Sequence, residues 1–277
     1  MKIRAGYRIT FDSVGPTPIN LLLSVHPERR GDLITPDVCA PSVDCQVETV
    51  VDAFGNLVTR VLAPAGPVTF SSEFLIADSG LVEPAFPQAA QVAVEDLPGE
   101  TLQFLLASRY CETDEMTPLA WSLFGHTAPG WERVQAIVDW THRRLAYDYK
   151  RARPTRTARQ GHEEGTGVCR DYAHLAITLC RCMNIPARYC TGYLGDIGVT
   201  PLPTPMDFHA WFEAYLDGAW HTFDARHNAR RIGRILMARG RDAADVAIST
   251  TFGTTWLTEF SVVTQEVVET PQLLAAE

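Results

Sequence analysis

What this chain does not contain narrows it first. No apolar run approaches the roughly 20 residues that a bilayer-spanning helix requires. Leu21-Leu22-Leu23 is too short even for the core of a signal peptide, so no membrane association and a cytoplasmic compartment are expected. No Cys-x-x-Cys pair occurs. The seven cysteines, Cys39, Cys45, Cys111, Cys169, Cys180, Cys182 and Cys190, are odd in number and irregular in spacing. That pattern argues for a reducing compartment and mostly free, buried thiols. Cys180 and Cys182 are two apart on an expected helix, where their side chains diverge, so they make a poor metal pair. No histidine–carboxylate cluster shows ligand spacing, and neither metal nor cofactor is expected. A basic field is missing too. Lys and Arg number 24 against 33 Asp and Glu, for a formal charge of -9, which argues against a nucleic-acid binder. Neither a fixed-period repeat nor a low-complexity tract is present.

What is there is ordinary globular composition, 46% hydrophobic and 21% charged over 277 residues, enough for one large or two modest domains. The first third reads as strands. Ile3 to Phe11 alternates, Ile19 to Val25 is a short apolar run, and Cys45 to Val51 leads through a turn at Asp52-Ala53-Phe54-Gly55-Asn56 into Leu57 to Leu62. Val68 to Ile76 follows. This pattern predicts a small antiparallel β domain, sandwich-like, over residues 1–110.

Beyond residue 110 the period changes. Pro129-Gly130 opens a helical pattern with Trp131, Val134, Ile137, Val138 and Leu145 on one face. A polar, basic loop from Lys150 to Glu164 leads to a glycine turn, then a helix from about Val168 to Met183, ended by Asn184 and Pro186. Strands are expected at Ala187 to Tyr193, His209 to Leu216, Trp220 to Asp224 and Phe260 to Val268. Residues 111–277 therefore read as a second, α+β domain.

The stretch Gly165-Thr166-Gly167-Val168-Cys169-Arg170-Asp171-Tyr172-Ala173-His174 places a cysteine at a helix start, just after a glycine-rich turn. Unpaired N–H groups and the positive end of the helix dipole favour thiolate there. A nucleophilic thiol needs an imidazole base, and the imidazole needs an acceptor that sets its tautomer. Of eight histidines, His209 stands out. It begins a strand that runs into Asp217-Gly218, a favoured hairpin pair. With those two at the centre of the turn, Tyr215 faces Trp220, Trp211 faces Asp224 and His209 faces Arg226. His209, Trp211 and Asp224 then share one face, and Asp224 is the diagonal neighbour of His209. A one-residue slip would put Asp224 on the opposite face.

Gly167-Val168-Cys169-Arg170-Asp171-Tyr172-Ala173-His174-Leu175, Asn184-Ile185-Pro186-Ala187-Arg188-Tyr189 with Gly192-Tyr193, and His209-Ala210-Trp211 with Phe223-Asp224 together resemble the core of the transglutaminase-like superfamily. The chain is most similar to the bacterial transglutaminase-like cysteine peptidases. Asp52 to Asn56 and Ser108-Arg109-Tyr110 resemble that group's N-terminal β region and the segment after it. The resemblance implies a papain-like core and a triad of Cys169 as nucleophile, His209 as general base and acid, and Asp224 as the orienting carboxylate. It implies no cofactor. Many relatives continue after the aspartate with proline and threonine, whereas this chain has Ala225-Arg226-His227-Asn228.

An oxyanion requires donors, and the backbone N–H of Cys169 at the helix start is one. For the second, Gln160 follows papain-like logic, with Tyr or Trp side chains as alternatives. Trp211, Arg170 and Tyr172 are candidates for a substrate rim. Each also has a plainer reading, as core packing or helix-start electrostatics. His174 lies five residues after Cys169, so its side chain diverges from the cysteine and reads as structural. His227 could approach from a loop. Arg151, Arg153, Arg156 and Arg159 read as a solvated loop or as a site for an acidic substrate. The expected function is cysteine-dependent acyl chemistry on a peptide, isopeptide or carboxamide bond of a peptide or protein substrate, by hydrolysis through an acyl-thioester. Transfer to an amine would use the same triad. The rival of another class is a non-catalytic binding or scaffold protein of the same fold. The sequence names no oligomeric state.

Overall fold

The computed structural model describes residues 1–201 and 206–268. Six strands come first: β1 (Lys2–Ser13), β2 (Thr17–Leu21), β3 (Ala40–Pro41), β4 (Val47–Val51), β5 (Leu57–Ala63) and β6 (Gly66–Ala77). The alternation seen in the sequence is realised in β1, where Ile3, Ala5, Tyr7, Ile9 and Phe11 are all buried. The turn between β4 and β5 is held by Asp52, whose Oδ1 accepts from the N–H groups of Phe54 and Asn56 at 2.8 and 2.9 Å.

Helices follow: α1 (Thr113–Phe124), α2 (Trp131–Arg144), and, after the short strand β7 (Ala146–Tyr147), α3 (Ala158–Glu164). Strand β8 (Thr166–Gly167) then pairs in parallel with β7 and leads into α4 (Cys169–Cys182). The chain closes with β9 (Ala187–Tyr193), β10 (His209–Leu216), β11 (Ala219–Phe223), β12 (Ile235–Gly240), β13 (Ser249–Thr251) and β14 (Thr255–Glu266).

Three antiparallel sheets result, ordered β14-β1-β6-β3, β13-β2-β5-β4 and β11-β10-β9-β12. The architecture is α+β, with two antiparallel sheets built mainly from the N-terminal strands and a third sheet on which the helices pack. Sequence order alone groups the last strands with the second half of the chain. In the sheets, β13 pairs with β2, and β14 pairs with β1 along nearly its whole length, from Ile3↔Glu266 to Ser13↔Thr255. One apolar core takes Ile9, Phe70 and Phe74 from the first sheet, Ile19 and Val61 from the second, and Tyr193, Ile235 and Met237 from the third. The other core packs α1, α2 and α4 against β9, β10 and β11.

Helix α4 lies at the centre of that second core. Every residue from Asp171 to Cys182 is buried, so the expected single apolar stripe is too modest. Its polar members carry their partners inward. Arg181 donates to the carbonyls of Ala187, Leu106 and Arg241, and Thr178 Oγ1 donates to the His174 carbonyl at 2.7 Å. Two helices are illegible in the sequence pattern. Pro118 interrupts α1 in its second turn, removing a donor that the periodicity assumes. The seven residues of α3, Ala158–Glu164, are mostly polar and read as part of the basic loop. Among the described residues, no helix is long and apolar enough to cross a membrane.

Candidate active site

The seat of Cys169 is built by short-range contacts on both sides. Helix α3 is capped by Thr157, whose Oγ1 accepts from Gln160 N–H at 3.3 Å, and it ends at Gly165 with φ of 63°, a left-handed conformation suited to glycine. The strand pair β7–β8 then pins the approach: Ala146 N–H donates to the Gly165 carbonyl at 2.9 Å and Asp148 N–H to that of Gly167 at 3.1 Å. At the start of α4 the Asp171 carboxylate accepts from Val168 N–H at 2.9 Å. The same oxygen, Oδ2, accepts from Arg156 Nη1 at 2.9 Å, and both side chains are almost wholly buried. Gly167 has to be small here, because a Cβ would fall 2.6 Å from that of Asp171.

The imidazole comes from the hairpin β10–β11. Its turn is Asp217-Gly218, with φ of 50° and 79°, and the pairs Leu216↔Ala219 and Tyr215↔Trp220 follow the expected register. Ladder pairing stops at Phe212↔Phe223, and Asp224 lies one residue beyond it. His209 Nε2 donates to Asp224 Oδ2 at 2.7 Å. With Nε2 committed to the carboxylate, proton exchange with a thiol or substrate falls to Nδ1. Trp211 is buried and its ring lies nearly parallel to that of His209, at 14° and 6.4 Å between centroids.

Asp224 is a crowded carboxylate. Besides His209, its Oδ2 accepts from His227 Nδ1 at 3.0 Å and Arg234 Nη2 at 3.2 Å, and its Oδ1 accepts from the N–H groups of Arg226 and His227, each at 3.0 Å. Although burial opposes its charge, these donors, His209 foremost, hold the carboxyl well below the ordinary carboxylate range. Arg234 is itself pinned, donating to Glu83 at 2.5 Å and lying over the Trp211 ring at 4.6 Å.

Cys169, His209 and His227 line one cavity of about 500 Å3. Burial pushes the Cys169 thiol up to about 12, and the Asp207 and Asp224 carboxylates add to that; the N–H groups of Ala210 and Arg170 pull the other way. The expectation that a helix start lowers this thiol is therefore corrected. Loss of solvent and two nearby carboxylates outweigh the helix end. Burial also lowers His209 from its ordinary value, with Asp224 opposing. Burial thus favours the neutral form of both the thiol and the imidazole that line this cavity.

The transglutaminase-like superfamily model matches residues 119–225, an interval that runs from α1 to the residue after Asp224. The solved structure of a Cytophaga hutchinsonii protein, provisionally described as a cysteine protease, is 30% identical with a TM-score of 0.82; the alignment covers 98% of this chain and 93% of that one. The chain belongs to the transglutaminase-like superfamily. An uncharacterised protein of Mycobacterium leprae is also similar, 26% identical over 207 residues, or 71% of this chain and 72% of that protein.

In this transglutaminase-like chain the other expected site residues lie apart from the cavity. Gln160 is exposed, and its Oε1 accepts from Thr157 N–H at 3.2 Å and Arg153 Nη2 at 3.0 Å, so its amide serves the cap of α3 rather than an oxyanion. Tyr172 is buried in the core and donates to the Leu145 carbonyl at 2.6 Å. Arg170 donates to the Arg153 carbonyl, and Trp211 borders a different cleft. His174 is wholly buried, accepts from Ala243 N–H at 3.1 Å and stacks on Tyr110. Three of the four arginines of the run are engaged in ion pairs: Arg153 with Glu164, Arg156 with Glu164 and Asp171, and Arg159 with Glu115 and Glu163. None of the four arginines lines the cavity.

His227 is the residue that sequence reasoning left at the margin. Its ring lies 4.6 Å from that of His209, three residues after Asp224. Ligand-capable atoms of His209, Asp224 and His227 all lie within 4.8 Å of one another, which corrects the expectation that no such cluster exists. The three are already joined by hydrogen bonds through one oxygen, and the Arg234 guanidinium on that same oxygen opposes a cation.

Proposed function

We propose that this protein is a cysteine-dependent acyl hydrolase acting on a peptide, isopeptide or carboxamide bond. Cys169 attacks the carbonyl, and His209 Nδ1 takes the thiol proton as the C–S bond forms. The backbone N–H of Cys169 helps hold the oxyanion. The tetrahedral adduct expels the amine, which leaves with the proton carried by His209, and an acyl-thioester remains. Water, deprotonated by His209, then releases the acid and the free thiol. Asp224 keeps Nε2 protonated, so that Nδ1 is the nitrogen that takes up and returns the proton in each half of the cycle.

The observation that carries this reading is one cavity shared by Cys169 and His209, with His209 Nε2 bonded to buried Asp224 at 2.7 Å. Likeness to a protein described as a cysteine protease favours a peptide substrate and hydrolysis over amine transfer. The test is labelling with a thiol-directed acylating probe followed by water or an amine. The native protein should label once, at Cys169, and Cys169→Ala should not label; equal labelling of both would remove Cys169 as nucleophile. Release of acid, rather than of an amide, identifies water as the acceptor.

A further inference from the structure

The cavity beside Cys169 carries acid, contrary to what the arginine run suggests. Its walls include Asp196, Asp207 and Glu266 against one guanidinium, Arg226. Arg226 lies over the Tyr147 ring at 3.9 Å, and Asp196 has Arg231 at 3.8 Å. Asp207 differs from both. Its Oδ1 accepts from Phe208 N–H at 2.7 Å and its Oδ2 from Tyr149 hydroxyl at 3.2 Å, both neutral donors. Among the described residues it forms no ion pair, and its hydrogen-bond partners are these two neutral groups.

We infer that Asp207 receives a cationic group of the acyl substrate, so that the site selects peptides with an ammonium-bearing residue, such as lysine, beside the scissile carbonyl. This rests on the acyl-transfer reading of Cys169. Burial raises the Asp207 carboxyl, against which its partners among the described residues, Phe208 N–H and the Tyr149 hydroxyl, offer only neutral donors. A substrate ammonium supplies a charged partner through a charge-assisted hydrogen bond in a partly enclosed wall. It also acts on the nucleophile. The Asp207 charge holds the Cys169 proton on, and an ammonium at Asp207 cancels that field as the acyl group arrives. The right substrate therefore assists thiol ionisation, and a neutral one leaves the full penalty in place. The plainer alternative is that Asp207 only braces the entry to β10 through its bond to Phe208 N–H.

Two acyloxymethyl ketone probes separate these, acetyl-lysine and acetyl-norleucine derivatives that differ by the ammonium alone. The lysine probe should alkylate Cys169 of the native protein faster by about tenfold or more, the worth of one charge-assisted bond. The ratio should fall to near one in Asp207→Asn and stay well above one in Asp207→Glu. A native ratio near one, or a ratio unchanged in Asp207→Asn, overturns the proposal; loss of both rates in equal proportion assigns Asp207 to bracing. Failure of both probes on the native protein speaks against the acyl-transfer reading instead. In that event Cys169→Ala titrated with Nα-acetyl-lysine methylamide and its norleucine counterpart still decides, since binding of both or neither removes a cation site at Asp207.

Discussion

Asp224 distributes one carboxylate among two imidazoles, a guanidinium and two main-chain N–H groups, and that sharing sets the behaviour of His209. In the proposed reaction a neutral His209 is the base, and burial holds its value below the ordinary 6.5. Alkylation of Cys169 should therefore rise with pH with a midpoint below 6.5 and then stay flat through the range where a free thiol titrates, because this thiol is pushed up to about 12. A rate profile of kcat/KM, or of alkylation, against pH checks this; a second limb near the usual thiol range would mean a preformed thiolate–imidazolium pair. His227 adds positive field beside His209. His227→Phe frees more of Asp224 for His209, so the acidic limb should move to higher pH, and an unmoved limb would leave His227 with packing alone. Cys169, His209 and Asp224 were legible as candidates because a turn, a hairpin and three ordered blocks carry them. His227 was visible only as a residue that could approach from a loop, and Asp207 and Arg234 were not visible at all, since Arg234 acts through partners on other segments and Asp207 through what the cavity holds near it.

At the scale of elements, the register of the hairpin β10–β11 was readable as far as Phe212↔Phe223, because Asp217-Gly218 sets it and period two does the rest; the expected pairs Trp211–Asp224 and His209–Arg226 lie beyond the end of the ladder. The helix of Cys169 was readable as a helix, and its total burial was not. The link that decides its position is Asp171, which caps α4 and neutralises buried Arg156 with one oxygen. Asp171→Ala leaves a guanidinium enclosed with only Glu164 and a carbonyl, and should cost about 3–5 kcal/mol. Chemical denaturation checks it: the midpoint should fall with the slope unchanged, whereas a loss under about 1 kcal/mol would make the pair a surface-like one. Helix α1 escaped the pattern because Pro118 interrupts it, and α3 because a short polar helix is stabilised by its cap and ion pairs rather than by an apolar face.

In the whole molecule the decisive contact is β14 on β1, which joins residues about as far apart in sequence as the described chain allows. Without β14, strand β1 becomes an open edge, a row of unpaired N–H and C=O groups that invites aggregation. Removal of residues 255–277 should lower solubility and shift the protein to aggregates on size-exclusion chromatography; a monomer of native melting temperature would show the closure to be dispensable. Core residues Tyr193, Ile235 and Met237 reach into the same cluster as Ile9 and Phe74, so loss of this sheet should also be felt by the strands that flank the site. Local chemistry, written in turns, caps and periodicity, was enough to specify β1, β2, β4 to β6 and β9 to β11, the α+β class and the three candidate triad residues, since each depends on neighbours a few residues away; β12, β13 and the first half of β14 escaped it. The fold alone decided which carboxylates face the thiol, which arginines are spent on ion pairs and where the last strand goes. Those outcomes depend on desolvation and on pairing between distant segments, and no local pattern encodes either.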